Sequence, residues 1–197
     1  LKNISKQDFD EISKHVKAKI YNNSDIASKA VSDHIIERIN QKTKRGEAFV
    51  LGLATGSTPI NVYRNLIQAY KNGLVSFKNV YTFNLDEYFP MDNRSIHSYV
   101  QFMHQNLFDE IDIPKAQIHI PDGTLPLEKI DDYCDDYEKK IAKLDGIDLQ
   151  ILGIGRTGHI GFNEPDSSFE SKTRLVWLDP TTRKDASSGF FGEKNVP

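Results

Sequence analysis

Apolar residues recur along this chain in two alternating rhythms, and the alternation itself predicts the architecture. A first helix, capped by Ser5, runs to about Tyr21. A second opens at Ser24, carries Ile26, Ala30, Val31, Ile35 and Ile39 on one stripe, and ends before Gly46. The run AFVLGLAT (Ala48–Thr55) is short, apolar throughout and bounded by glycine and proline, which predicts a buried strand. Ile60, Tyr63, Leu66, Ile67 and Tyr70 then mark a helix that Gly73 stops. The order repeats with a strand over Asn79–Tyr88 and a helix carrying Ile96, Tyr99, Val100, Met103, Leu107 and Phe108. A short strand over Gln117–Pro121 follows, then a helix marked by Leu127, Ile130, Tyr133, Tyr137, Ile141 and Leu144. Ile147–Gly155 predicts another buried strand and Thr173–Asp179 one more. Strands that alternate with helices and are apolar throughout imply an α/β fold with a mainly parallel sheet covered on both faces.

Composition narrows the function classes. The chain has 197 residues, 25 Lys and Arg against 28 Asp and Glu, a net charge of −3 and 38% hydrophobic residues. That balance fits a single soluble domain with a sizeable core, and no Gly/Ser/Pro linker divides it. A pI near 6.1 argues against nucleic acid or an anionic membrane as the main partner. The single cysteine, Cys134, excludes an internal disulfide framework and a thiolate-cluster metal site. Leu1–Asp10 holds no apolar run of the signal-peptide kind, so the expected compartment is the cytoplasm. The leucine in first place predicts a fragment or a processed form.

Three segments at predicted strand ends carry the candidate chemistry, because ligands of open α/β sheets gather beyond the carboxyl ends of the strands. In ATGSTP (Ala54–Pro59), Gly56 allows close backbone approach and Ser57 and Thr58 add hydroxyls before a helix begins. Free amides there make an anion site for which phosphate is the natural occupant, against the plainer reading of an ordinary capped helix start. In FNLDEY (Phe83–Tyr88), Asp86 and Glu87 end an apolar strand. Side chains alternate along a strand, so one acid can face the crevice as a base while the other makes structural hydrogen bonds. The plainer reading is a solvated strand end. In GIGRTGHIGFNEP (Gly153–Pro165), His159 and Glu164 can both move protons, with Asn163 as a polar orienter. His15, His34, His97, His104 and His119 lie in helical or strand patterns and read as structural.

Gly153, Gly155 and Gly158 also match the dinucleotide spacing G-x-G-x-x-G, with Asp179 standing 179 − 158 = 21 residues further on. That fingerprint needs a helix opening at its third glycine. The segment from His159 to Thr173 instead holds Gly161, Pro165 and several serines with no helical stripe, so a nicotinamide cofactor is the minority reading.

Taken in order and at these spacings, LGLATGSTP, VSFKNVYTFNLDEY, HSYVQFM, GIGRTGHIGFNEP and SKTR resemble the glucosamine-6-phosphate deaminases. FNLDEY with GHIGFNEP is the specific part; 6-phosphogluconolactonases share the sheet and the Gly-His element but lack FNEP. The resemblance implies a three-layer α/β/α, Rossmann-like sheet of the sugar-phosphate isomerase type. It also implies conversion of glucosamine 6-phosphate to fructose 6-phosphate and ammonia without cofactor or metal, commonly in a homo-oligomer. By the same resemblance Asp86 is the base that shuttles a proton between sugar carbons, His159 opens the ring and Glu164 supports it. Thr55, Gly56, Ser57 and Thr58 bind the phosphate, with Glu87 at the substrate site. A sugar-phosphate sensor with little turnover, or a lactonase-like hydrolase, is the alternative.

Three positions depart from the family pattern. Thr157 stands where an acid or amide two residues before the histidine is usual, and threonine can orient an imidazole without stabilising its charge as a carboxylate does. Gly189 replaces an arginine before the paired aromatics Phe190 and Phe191, leaving Arg183 or Lys184 as substitutes. Ser167 and Arg174 match two residues of the family's activator site, but Val176 replaces its lysine. The family's domain continues past the segment matching Asn195–Pro197. The expected organisation is therefore N-terminal helices over residues 1–45 packed on an α/β domain from 46 to 197 that lacks its C-terminal part.

Overall fold

The computed structural model describes residues 18–197. The helix expected from Ser5 lies outside them up to Lys17, and Ala18–Tyr21 are not helical. The elements run α1 (Ser24–Lys44), β1 (Phe49–Leu53), α2 (Ile60–Lys71), β2 (Val80–Asn84), α3 (Tyr99–Asn106), β3 (Ile118–His119), α4 (Ile130–Ala142), β4 (Leu149–Gln150) and α5 (Pro180–Ala186). All four strands are parallel in the order β3-β2-β1-β4. β1 pairs with β2 from Phe49↔Val80 to Leu53↔Asn84 and with β4 through Leu51↔Leu149 and Gly52↔Gln150.

The five residues of β1 are all buried, as a strand covered on both faces requires. Phe49, Leu51 and Leu53 pack with Ile35 and Ile39 of α1, Val62, Tyr63 and Leu66 of α2, and Met103 of α3. Val50 points the other way, into a cluster with Phe83 and Tyr137 of α4. Helices therefore cover both faces of the sheet, and β1 sits at the centre of the hydrophobic stabilisation.

Several expected boundaries move, each for a local reason. Asn23, not Ser24, caps α1, its Oδ1 accepting from the Ile26 amide at 2.9 Å. The buried face of α1 is Ser28, Ser32, Ile35 and Ile39. Ala30 and Val31 instead line an open cleft beside β4, so the first half of the apolar stripe lacks cover. α3 starts at Tyr99 because the Ser98 Oγ accepts from the Gln101 amide at 3.1 Å, which leaves Ile96 exposed in the preceding turn. β4 holds two residues of the expected nine, because only β1 offers it a ladder and the chain leaves the sheet after Ile151. Thr173–Asp179 is not a strand. No neighbouring backbone pairs with it, and Trp177 stands 92% exposed. Among the described residues, no helix is long and apolar enough to cross a membrane.

Candidate active site

The parallel register delivers three loops to one end of the sheet. β1 feeds Ala54–Pro59, β2 feeds Leu85–Pro90 and β4 feeds Leu152–Pro165. The first two start together, with the Leu85 amide donating to the Leu53 carbonyl at 3.1 Å. The third crosses over them although β4 and β2 are not neighbours. A Cβ placed on Gly161 would stand 3.2 Å from Asp86 Oδ2 and 3.6 Å from Leu85 Cβ, so Gly161 lets this loop lie against the acid. The floor beneath is aromatic, Tyr88 packing at centroid distances of 5.2 Å on Tyr99, 5.0 Å on Phe162 and 4.8 Å on Phe190.

In the first loop Gly56, Ser57 and Thr58 are exposed, and Thr55 is half-buried beside the Tyr99 hydroxyl. The Tyr63 hydroxyl donates to the Ala54 carbonyl, which ties the start of this loop to α2.

The adjacent acids of the second loop differ sharply. Glu87 accepts from the Tyr88 amide at 2.8 Å with Oε1, and from the Tyr99 and Val100 amides at 2.8 and 3.2 Å with Oε2. It therefore anchors the N-terminus of α3, where a negative charge is favoured. Burial nevertheless pushes its carboxyl up to about 7 against the pull of those amides. Asp86 is half-buried and, among the described residues, makes no hydrogen bond. Burial, with the neighbouring Glu87 charge, pushes its carboxyl up to about 7. A carboxylate that titrates near neutrality with unclaimed lone pairs is suited to take a proton from a substrate.

The third loop is shaped by backbone turns. The Gly158 amide donates to the Gly155 carbonyl at 3.0 Å, the Gly155 amide to the His159 carbonyl at 2.8 Å, and Gly158 has φ +90°. The His159 ring lies over Gly155, where a Cβ would come within 2.1 Å of it. Ile160 and Asn163 exchange backbone hydrogen bonds of 3.1 Å across a tight turn. Asn163 closes that turn with its own side chain, donating to the Ile160 carbonyl at 3.2 Å, and so does not orient His159. His159 and Glu164 side chains are 21% and 17% exposed, with Nδ1 and Oε2 3.8 Å apart. The Thr157 Oγ1 stands between them, 2.9 Å from Nδ1 and 3.0 Å from Oε2.

A residue outside every motif completes this cluster. Thr182 of α5 places its Oγ1 2.6 Å from Glu164 Oε1 and 3.2 Å from His159 Nδ1. The Asp179 amide donates to the same Oε1 at 3.2 Å. Burial pushes the Glu164 carboxyl up, but the hydrogen bonds from Thr182, the Asp179 amide and Thr157, with the nearby His159, outweigh it and hold it below its ordinary value. Thr182 sits in the polar run PTTRKDA, and its one legible signal is the Asp-Pro start of a helix.

Other expected residues fall as follows. Arg174 Nη2 reaches the Ser167 Oγ at 3.3 Å, so the two activator-site positions meet on the surface. The Arg183 guanidinium donates to the Val196 and Pro197 carbonyls, each at 2.6 Å. No helix opens at Gly158, and Asp179 spends its Oδ1 on the Thr181 amide at 2.7 Å. The dinucleotide reading thereby loses its helix, and the acid meant for the ribose is already engaged. Among the described residues no three His, Cys, Asp or Glu side chains converge as a metal site does.

Comparison with known proteins places this geometry among relatives. The family model described as glucosamine-6-phosphate isomerases/6-phosphogluconolactonase matches residues 22–186. A protein of Clostridium novyi named glucosamine-6-phosphate deaminase is 44% identical over all 197 residues, which span 73% of its length. One of Oceanobacillus iheyensis with the same name is 48% identical over 164 residues, 83% of this chain and 63% of that relative. A solved structure described as a monomeric glucosamine-6-phosphate deaminase superposes with TM-score 0.83 at 37% identity, covering 90% of this chain and 71% of that one.

Proposed function

The chain belongs to the glucosamine-6-phosphate isomerase/6-phosphogluconolactonase family, and from that premise we propose that it converts glucosamine 6-phosphate and water to fructose 6-phosphate and ammonia. The observation that carries the proposal is the meeting of Asp86, free of hydrogen bonds among the described residues, with the Gly161 turn of the loop that holds His159 and Glu164. The reaction needs two proton-moving centres, and two are at hand.

The exposed Gly56, Ser57 and Thr58 receive the substrate phosphate. His159 carries the proton that opens the pyranose ring and releases the C1 aldehyde. Asp86 then removes the proton from C2, next to that carbonyl and bearing the amino group. The electron pair moves through an enolamine, and the same carboxyl returns the proton to C1. The imine left at C2 is hydrolysed by water to the ketone, expelling ammonia. Glu87 supports the site indirectly, by fixing the start of α3 beside Asp86.

Several arrangements of the site support isomerisation over lactone hydrolysis. A lactonase needs one activated water, whereas Asp86 and the His159–Glu164 pair form separate acid–base centres whose carboxyls, Asp86 and Glu164, are displaced in opposite directions from their ordinary range. Action in the cytoplasm as a homo-oligomer completes the proposal, set against the monomeric state named for the solved relative; light scattering of the purified chain separates the two states.

The deciding experiment couples ammonia release from glucosamine 6-phosphate to a calorimetric binding titration with the same sugar. Ammonia and fructose 6-phosphate in equal amounts are expected. Tight binding without ammonia would make the protein a sugar-phosphate sensor, and turnover of 6-phosphogluconolactone in its place would make it a lactonase.

A further inference from the structure

We infer that Thr182, acting with Thr157, fixes which ring nitrogen of His159 carries the proton, and so leaves Nε2 as the nitrogen that accepts one from the substrate. The inference deepens the ring-opening role proposed for His159 and rests on it; the geometry behind it does not.

Proton counting settles the arrangement. An ionised carboxylate can only accept hydrogen bonds. Glu164 Oε2 lies 3.0 Å from the Thr157 hydroxyl and Oε1 2.6 Å from the Thr182 hydroxyl. Each hydroxyl has one hydrogen, and each spends it on Glu164. What both can then offer to His159 Nδ1, at 2.9 and 3.2 Å, is a lone pair. Nδ1 must therefore be the donor, shared between two hydroxyl oxygens. In a neutral imidazole the other nitrogen is then bare.

The position of that other nitrogen gives the arrangement its use. The Nε2 side of the ring lies over Gly155, where any Cβ would come within 2.1 Å of Nε2. The absence of a side chain there lets the ring lie in this position. When Nε2 takes a proton, the imidazolium is held by two hydroxyl acceptors and faces a carboxylate 3.8 Å from Nδ1, too far for a direct hydrogen bond, whose negative charge stabilises it. Two threonines thus bridge the glutamate to a histidine that no acid touches. The Asp179 amide, the third donor to Glu164, locks the carboxylate from the α5 side.

Two hydroxyls doing one task predict non-additivity. T157V or T182V alone leaves one acceptor on Nδ1, and each should lower kcat/KM about tenfold. The double variant removes both acceptors and should lose at least about 1,000-fold, more than the product of the single losses and within the range general acid–base catalysis supplies. T182S keeps the hydroxyl and should remain within about threefold of the parent, which separates the hydroxyl's role from simple packing.

The decisive readout is the tautomer itself. In protein labelled with 15N at histidine, at a pH where the ring is neutral, His159 is assigned by comparison with H159Q. The parent and T182S should show Nδ1 protonated and Nε2 bare. The double variant T157V/T182V should show the mixed or Nε2-protonated state usual for a free imidazole. A parent ring protonated at Nε2, or a double variant that keeps the parent signature, would overturn the inference. Failure of the protein to release ammonia would sink the proposed reaction while leaving this spectroscopic test intact.

Discussion

The loop after β2 and the loop after β4 each present a carboxylate to the same crevice, and the protein treats the two in opposite ways. Asp86 follows directly from a buried strand, makes no hydrogen bond among the described residues, and has its carboxyl pushed up to about 7. Glu164 sits in a loop of turns, receives two hydroxyls and an amide, and is held below its ordinary value. Burial opposes the charged form in both. What differs is the balance between burial and donors: burial prevails at Asp86, and even at Glu87 with its three amide donors, whereas donors prevail at Glu164. Asp86, where burial prevails, is poised to pick up a proton; Glu164, where the donors prevail, stays charged and holds other groups in place.

The largest expected effect removes the member where burial prevails. D86N keeps the shape of the side chain and abolishes its basicity, so ammonia release should fall by at least about 1,000-fold. Binding of glucosamine 6-phosphate, measured by calorimetry, should stay within a few-fold, because the substitution keeps the side chain's shape and leaves Thr55–Thr58 unchanged. Turnover near the parent's would take the base role from Asp86 and end the contrast between the two loops.

A truncation in the shared platform should act on both loops at once. Leu51 is fully buried in the central strand, flanked by partners on β2 and β4. L51A should cost about 2–5 kcal/mol in denaturant unfolding, with activity lost only in proportion to the unfolded fraction. A smaller perturbation separates the loops again. G155A places a methyl within 2.1 Å of the His159 ring and must displace it. A roughly 100-fold fall in kcat is expected, the range assigned to a misplaced acid–base group, with the melting temperature nearly unchanged. Loss of stability comparable to L51A would show that the His159 loop belongs to the core and not to the site.

How much of this was legible in the sequence follows the same division. The sheet was legible because its central strands are covered on both faces, and continuous apolar runs such as FVLGL have few other ways to be satisfied. Asp86 was legible because acids are conspicuous at the end of such a run, and His159 because glycines crowd it. The split between Asp86 and Glu87 was expected from strand alternation, but both stand in the loop beyond Asn84, and the anchoring of α3 by Glu87 needs two segments to meet and leaves no trace in either. Thr182 was hidden for a similar reason. A threonine in a polar helix acquires meaning only when the fold brings it 2.6 Å from a carboxylate 18 residues away. The strand expected over Thr173–Asp179 failed because apolar content alone does not make a strand; a free ladder beside it does. The stripe on α1 failed in its first half because periodicity reports which residues share a face, not whether anything covers that face.

The smallest expected effect is also the one that tests the comparison without chemistry. Asp86 binds its proton more tightly in the folded protein than its ordinary value of 3.8 allows, and Glu87 more tightly than 4.5. Between about pH 4 and 7 the folded state therefore keeps protons that the unfolded chain has released, and stability falls as pH rises through that window. Glu164 runs the other way. Its folded carboxyl gives up its proton more readily than the unfolded one, so its contribution is present above its ordinary value of 4.5 and is lost as pH falls below it. D86N should flatten the decline between pH 4 and 7, and E164Q should flatten only the acid limb, in urea midpoints taken at matched ionic strength. If both variants altered the same limb, the balance of burial and donors would not separate Asp86 from Glu164, and the contrast between the two loops would fail.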